Sequence, residues 1–284
     1  MATTTISTNI VRQRLQKNMS DLNTADYAQL AQQIRHIALK AGAKIMEIYR
    51  QDITVAHKAD NSPVTIADEA GEKIIIDGLE KLSVQYPIIA EESVNAGHIP
   101  EVGTKFWLVD PLDGTKEFIN KNGEFTVNIA LIENGSPSIG VVYAPAMGNI
   151  YLATSPATAT VETLTPAGDW TDPAPLIVRP APTDGLTAVA SRSHRDAQTD
   201  AYLEKFNIKE LRSAGSSLKF CLVAAGEADL YPRFGPTMEW DTGAGHAVLK
   251  AAGGTVMTPE GQVFTYGKAD YRNGFFIAAG RDIL

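Results

Sequence analysis

Cysteine is nearly absent: Cys221 is the single one in 284 residues, which excludes an internal disulfide, and no Cys/His spacing suited to zinc occurs anywhere. Cys221 sits in an apolar helical run and reads as a buried structural thiol in a reducing compartment such as the cytoplasm. Basic residues are also short, 25 Lys and Arg against 33 Asp and Glu, for a net charge of −8 and an isoelectric point near 5.2. That balance argues against a nucleic-acid or anionic-membrane surface, both of which want a basic face. No stretch of about 20 apolar residues offers a transmembrane span. Residues 1–25 are rich in Thr, Ser and Asn, carry Arg12, Arg14 and Lys17, and lack the apolar core of a secretory signal. They read as a flexible extension, with a start at Met19 or a weak targeting signal as the alternatives. No internal repeat and no low-complexity tract appears.

What is present is a full core, 44% of the residues being hydrophobic. Leu30, Ile34, Ile37, Ala38, Ala41, Ile45, Ile48 and Tyr49 keep helical spacing. Ile53 to Lys58 reads as a strand, and Thr65-Ile66-Ala67-Asp68 opens a second helix as a capping box, which explains Asp68 locally. Asp60, ahead of that helix, has no such explanation. Phe125 to Ile132, Ser138 to Tyr143 and Asn149 to Ala153 read as antiparallel strands, the first two joined by a hairpin turn at Asn134-Gly135. Prolines gather between Thr154 and Pro182 and mark a boundary. The expected organisation is an α+β domain over 26–165, which binds metal, and an α/β domain over 166–284, which binds substrate.

Chemistry concentrates where apolar runs end. Phe106-Trp107-Leu108-Val109 reads as a strand stopped by Pro111, with Asp110 and Asp113 on the turn that follows. Two carboxylates and the Leu112 carbonyl on one tight turn suit a hard divalent cation. Gly114 lets the backbone come close to a ligand, and Thr115 to Asn120 predicts a short helix. A turn that only caps this helix is the alternative. Aspartyl-phosphate phosphatases need two acids two residues apart, and Pro111 stands two before Asp113, so that chemistry is excluded. Ile88-Ile89-Ala90-Glu91-Glu92 repeats the pattern. Glu239-Trp240-Asp241 does so again, with Asp241 either a ligand or the cap of a helix over Ala244 to Ala252. His246 inside that helix reads as a core or surface histidine. The small-residue loop Gly215-Ser216-Ser217, with Lys219 just inside a helix and Arg233 further on, suits phosphate oxygens, although a plain helix cap explains it equally well.

Asp110-Pro111-Leu112-Asp113-Gly114-Thr115, preceded by Asp60 to Asp68 and Glu91-Glu92-Ser93 and followed by Trp240-Asp241, resembles the signature of the inositol monophosphatase superfamily of magnesium-dependent, lithium-sensitive phosphatases. Lys116-Glu117-Phe118, Ser191-Arg192-Ser193-His194, Gly215 to Lys219 and Tyr231 to Pro236 are similar to its 3′(2′),5′-bisphosphate nucleotidase branch. The resemblance implies a layered αβαβα sandwich. It implies that Glu91, Asp110, the Leu112 carbonyl, Asp113 and Asp241 hold two or three Mg²⁺ ions. Thr115, paired with Asp60 and assisted by Glu91, would activate the attacking water. Gly114, Thr115, Ser216, Ser217, Lys219, Arg233 and Asp241 would bind substrate, with His194 meeting the nucleoside. The substrate implied is a small phosphorylated nucleotide, adenosine 3′,5′-bisphosphate, or its 3′-phosphosulfate analogue. Inositol monophosphatase proper and a metal- or nucleotide-responsive binding protein are the rival readings.

Overall fold

The computed structural model describes residues 22–51, 55–57, 63–191 and 196–284. The chain folds into five layers, α/β/α/β/α. Helix α1 (Thr24–Tyr49) starts at Asn23, whose side chain accepts from the amides of Ala25 and Asp26. Its 26 residues bury Leu30, Ile34, Ile37, Ala38, Ala41, Ile45 and Ile48, the stripe expected from their spacing. A short hairpin, β1 (Val55–His57) and β2 (Pro63–Thr65), leads into α2 (Ile66–Leu79). Helices α1 and α2 form the outer layer on one face of a seven-stranded sheet.

That sheet runs β3 (Ile88–Ala90), β4 (Lys105–Asp113), β5 (Thr126–Glu133), β6 (Ser136–Ala144), β7 (Asn149–Ser155), β8 (Thr158–Thr163) and β9 (Ala174–Pro175), in chain order. All neighbours are antiparallel except β3 and β4. Helices cover both faces, which is why β4 and β5 read as nearly unbroken apolar runs. Trp107, Val109, Val127, Ile129 and Leu131 point to the α1/α2 side, and Phe106, Leu108, Ala130 and Ile132 to the other. Burying a side chain of this size contributes about 1.5–3 kcal/mol. The β5–β6 hairpin turns at Asn134 (φ 51°) and Gly135 (φ 75°), the left-handed pair that a two-residue turn requires. The expected division between 165 and 166 falls between β8 and β9.

The second sheet has five strands in the order β11 (Ile208–Ala214), β10 (Leu186–Ser191), β12 (Leu230–Arg233), β14 (Phe276–Ala279), β13 (Thr255–Met257). Between the sheets lie α6 (Leu218–Ala224) and α7 (Glu239–Ala251), in one shared core with Phe220, Tyr231, Trp240 and Phe276. Cys221 is fully buried there, and burial pushes its thiol up, as a structural thiol requires. Helix α5 (Ala197–Leu203) closes the far face. No helix among the described residues is long and apolar enough to cross a membrane.

Two elements differ from the sequence expectation. Pro111 does not end its strand, because β4 continues to Asp113 with a shift of register. Asp110 pairs with Asn128 and Asp113 with Thr126, three steps against two. The extra residue is a bulge, where a missing amide removes no ladder bond. Helix α7 begins at Glu239 rather than Ala244.

Candidate active site

Strand register brings the first two acid-bearing turns together. Because β3 and β4 are parallel with Ala90 opposite Val109, Glu91 and Asp110 come to the same level. Glu91 opens a short helix, α3 (Glu91–Asn95), that no side chain of its own caps. Glu72 supplies the acceptors from α2: one oxygen takes the Glu92 amide at 2.7 Å, the other the Ser93 amide and hydroxyl at 2.8 and 2.6 Å. Burial raises the Glu72 carboxyl above its usual range despite these bonds.

The β4 bulge then aims its turn outward. The Asp110 carboxylate accepts the Leu112 amide at 3.0 Å, and Gly114, at φ 92°, turns the chain into α4 (Thr115–Ile119). The Thr115 hydroxyl lies 3.2 Å from Asp68 Oδ1 and 3.4 Å from the Leu112 carbonyl. Asp68 thus has two functions. Its Oδ2 accepts the Thr65 amide and hydroxyl at 2.7 and 2.8 Å as the expected cap, while Oδ1 meets Thr115. Asp60, expected beside Thr115, lies outside the described residues, as does His194; among the described residues the acid bonded to Thr115 is Asp68. One signal for Asp68 and Glu72 was available: two acids a single turn apart on the buried side of α2 need partners.

From the second sheet, Ser191 and Ala214 end β10 and β11 side by side, which delivers the loop 215–217 against the β4 turn. The two loops interlock. A Cβ on Gly114 would collide with the Ser216 hydroxyl oxygen, and one on Gly215 would lie 2.7 Å from the Glu124 carbonyl. The Gly215 amide donates to Glu124 Oε2 at 2.8 Å, and Ser216 Oγ sits 2.7 Å from both the Asp113 and Glu124 carbonyls. Ser217 is buried behind this contact, its hydroxyl 3.0 Å from Asp113 Oδ2 and 2.8 Å from the Asp241 carbonyl. Asp241, at the third position of α7, accepts the Met238 amide at 2.8 Å.

The result is a cleft of about 300 Å³ lined by Glu91, Asp110, Leu112, Asp113, Gly114, Thr115, Ser216, Lys219, Arg233 and Asp241. All but three of the site residues expected from sequence therefore share one cavity. Ser217 lies behind its wall, and Asp60 and His194 are outside the described residues. Acids and cations act on one another in the cleft, Lys219 on Asp113 and Arg233 on Asp241. Burial first, then Asp113 and Glu91, push the Asp241 carboxyl well above its usual range. Burial raises Asp113 as well, opposed by Lys219, Ser217 and Asn128. Lys219 is 4% exposed, its ammonium 2.6 and 3.2 Å from the Ser216 and Ala214 carbonyls and 5.4 Å above the Tyr231 ring. Burial, more than the nearby Arg233, lowers its pKa to about 8. Arg233 donates to the Pro236 carbonyl at 3.1 Å, and its buried Nε makes no hydrogen bond among the described residues.

Crowded, desolvated carboxylates with oxygen donors alone fit a hard divalent cation that offsets their repulsion. No three acidic, cysteine or histidine side chains among the described residues are drawn close enough to hold an ion outright, so the fit lies in donor chemistry. His246 takes no part: it is buried against Tyr266, 3.0 Å from its hydroxyl, and burial lowers its pKa to about 3.

Residues 26–281 match the Inositol monophosphatase family. The chain belongs to that family. Within it, the chain is 46% identical to the Escherichia coli K12 3′(2′),5′-bisphosphate nucleotidase CysQ over 238 residues, 82% of this chain and 92% of that protein. It is 41% identical to the Buchnera aphidicola CysQ nucleotidase over 271 residues, 92% of this chain and 98% of that protein. Among solved structures, CysQ from Bacteroides thetaiotaomicron superposes with a TM-score of 0.74 at 39% identity, covering 89% of this chain and 97% of that one. An inositol monophosphatase from Thermotoga maritima gives 0.70 at 25% identity, over 88% and 91%. The five-layered fold is thus the family's.

Proposed function

We propose that this inositol monophosphatase family member is a 3′(2′),5′-bisphosphate nucleotidase that hydrolyses adenosine 3′,5′-bisphosphate to AMP and phosphate, and also accepts its 3′-phosphosulfate analogue. The supporting observation is that the cleft carries, beside its carboxylates, two buried cations, Lys219 and Arg233. A second phosphate on the substrate would give these cations a partner that a single phosphate held by the carboxylate-bound ions does not. Identity to CysQ nucleotidases over most of the chain supports the same reading.

Glu91, Asp110, the Leu112 carbonyl, Asp113 and Asp241 would hold Mg²⁺, two or three ions in all. Bound there, Mg²⁺ would supply positive charge to the transferring phosphate and acidify the attacking water. The protein's part in the reaction follows from its hydrogen bonds. With its proton directed to Asp68, the Thr115 hydroxyl offers lone pairs to a water in the cleft and orients it for in-line attack at phosphorus. Asp68, fixed by Thr65, takes the proton relayed through Thr115. Arg233, with an uncommitted buried Nε, meets the second phosphate, and Lys219 adds charge behind it.

Phosphate release from adenosine 3′,5′-bisphosphate and from inositol 1-phosphate, each with MgCl₂ or EDTA, tests the proposal. Bisphosphate should be strongly preferred and EDTA should stop turnover. Preference for inositol 1-phosphate would return the chain to the inositol phosphatase reading.

A further inference from the structure

We propose that Ser217, backed by Asn128, is a positioning residue for the divalent cation rather than a substrate contact. The inference rests on the reading of Asp113 and Asp241 as cation ligands. Ser217 is 1% exposed, and its hydroxyl oxygen touches both acid-bearing turns, at Asp113 Oδ2 (3.0 Å) and the Asp241 carbonyl (2.8 Å). These two turns come from β4 and α7, more than a hundred residues apart in the chain, and Ser217 on a third element sets its hydroxyl against both, its single proton serving one acceptor at a time.

Asn128 completes the arrangement from β5. It is 1% exposed, and its Nδ2 donates to Asp113 Oδ2 at 3.2 Å and to Ser217 Oγ at 2.9 Å. Turning the amide over would set its oxygen against the Asp113 carboxylate, so the donors must face the acid. The Asn128 oxygen is left buried with no hydrogen bond among the described residues. A buried amide kept at that cost is kept for its donors. Donors from Asn128 and, when its single proton turns that way, Ser217 converge on the Asp113 carboxylate. They fix its plane and direct its other oxygen, in the way that outer hydrogen bonds orient carboxylates that bind cations.

The test is calorimetric titration of MgCl₂ into EDTA-stripped protein, alongside steady-state kinetics on the bisphosphate. Ser217→Ala and Asn128→Leu should each raise the Kd for Mg²⁺ by roughly 10- to 100-fold, and Ser217→Thr should restore most of the loss. Turnover should need correspondingly more Mg²⁺, while KM for the bisphosphate at saturating Mg²⁺ moves less than about threefold. Should Ser217→Ala fail to fold by circular dichroism, Ser217→Cys, which keeps the volume, replaces it. An unchanged Mg²⁺ Kd with a lowered Tm would make Ser217 mere scaffold, and an unchanged Kd with a raised KM would make it a substrate contact; either overturns the proposal. Wild type that binds no Mg²⁺ would remove the cation reading along with it, whereas wild-type binding with unaffected variants removes the Ser217 inference alone.

Discussion

Asp68 shows how one side chain can serve two masters, a helix cap through Oδ2 and Thr115 through Oδ1. In the proposed relay both residues act on the same proton, so Thr115→Val and Asp68→Asn should each lower kcat by roughly 10²- to 10⁴-fold, and the double variant should be little worse than either. Additive losses in the double variant would separate the two roles. Asp241 allows a test that does not need turnover. Its carboxyl is raised by burial, Asp113 and Glu91, so the metal-free folded state holds that proton at pH values where the unfolded chain has released it. A raised carboxyl stabilises below its unfolded pKa, and that contribution is lost as pH rises through the folded value. Metal-free Asp241→Asn should therefore melt higher than wild type once pH has passed that value, yet gain no stability from Mg²⁺. Thermal melts in EDTA and in MgCl₂ across pH give the comparison. The sequence made the cap legible because capping is local. It hid the contact with Thr115, because a complete local explanation gives no sign of a second, distant partner.

The turn, the bulge and the loop differ in the same way. Helices α1 and α2 and the Asn134–Gly135 hairpin were readable because periodicity, capping and turn chemistry lie within a few residues of one another. The parallel pairing of β3 with β4, which sets Glu91 beside Asp110, depends on chain 15 or more residues away and left no local mark. Pro111 was misread as a stop because its tolerance inside β4 depends on the bulge against β5. Gly114 was assigned to ligand approach, yet the nearest obstacle to a Cβ there is the Ser216 hydroxyl of the facing loop. A comparison of two left-handed glycines isolates that interlock. Gly97→Ala, at φ 85° with nothing within 4 Å, should cost only the backbone strain, about 1 kcal/mol. Gly114→Ala, at φ 92°, must also part the loops, and should cost about 2–4 kcal/mol and most of the activity. Urea denaturation of both variants measures the difference; equal losses would show that the loops can separate freely.

The two sheets contribute different charges to the cleft: the carboxylates of Glu91, Asp110 and Asp113 come from the seven-stranded sheet, while Arg233 ends β12 in the five-stranded one and Lys219 follows β11. Substrate selectivity should thus be separable from chemistry. Arg233→Ala should raise KM for adenosine 3′,5′-bisphosphate by roughly 10- to 100-fold, the effect of about 1.5–3 kcal/mol for a charge-assisted contact, and leave inositol 1-phosphate hydrolysis nearly unchanged. Lys219→Ala should be less selective, because its ammonium also holds the Ala214 and Ser216 carbonyls of the interlocked loop. Lys219 instead gives a pH signature. Burial lowers its pKa to about 8 in the free protein, and kcat/KM reports free-enzyme ionisations. While the ammonium is charged it would attract the second phosphate of the proposed substrate; once deprotonated it would not. The ratio of kcat/KM for bisphosphate over monophosphate should fall as pH rises through the Lys219 ionisation, and Lys219→Arg, always protonated, should keep the ratio level to higher pH. A ratio independent of pH in wild type, together with an unchanged ratio in Arg233→Ala, would mean that neither cation meets a second phosphate.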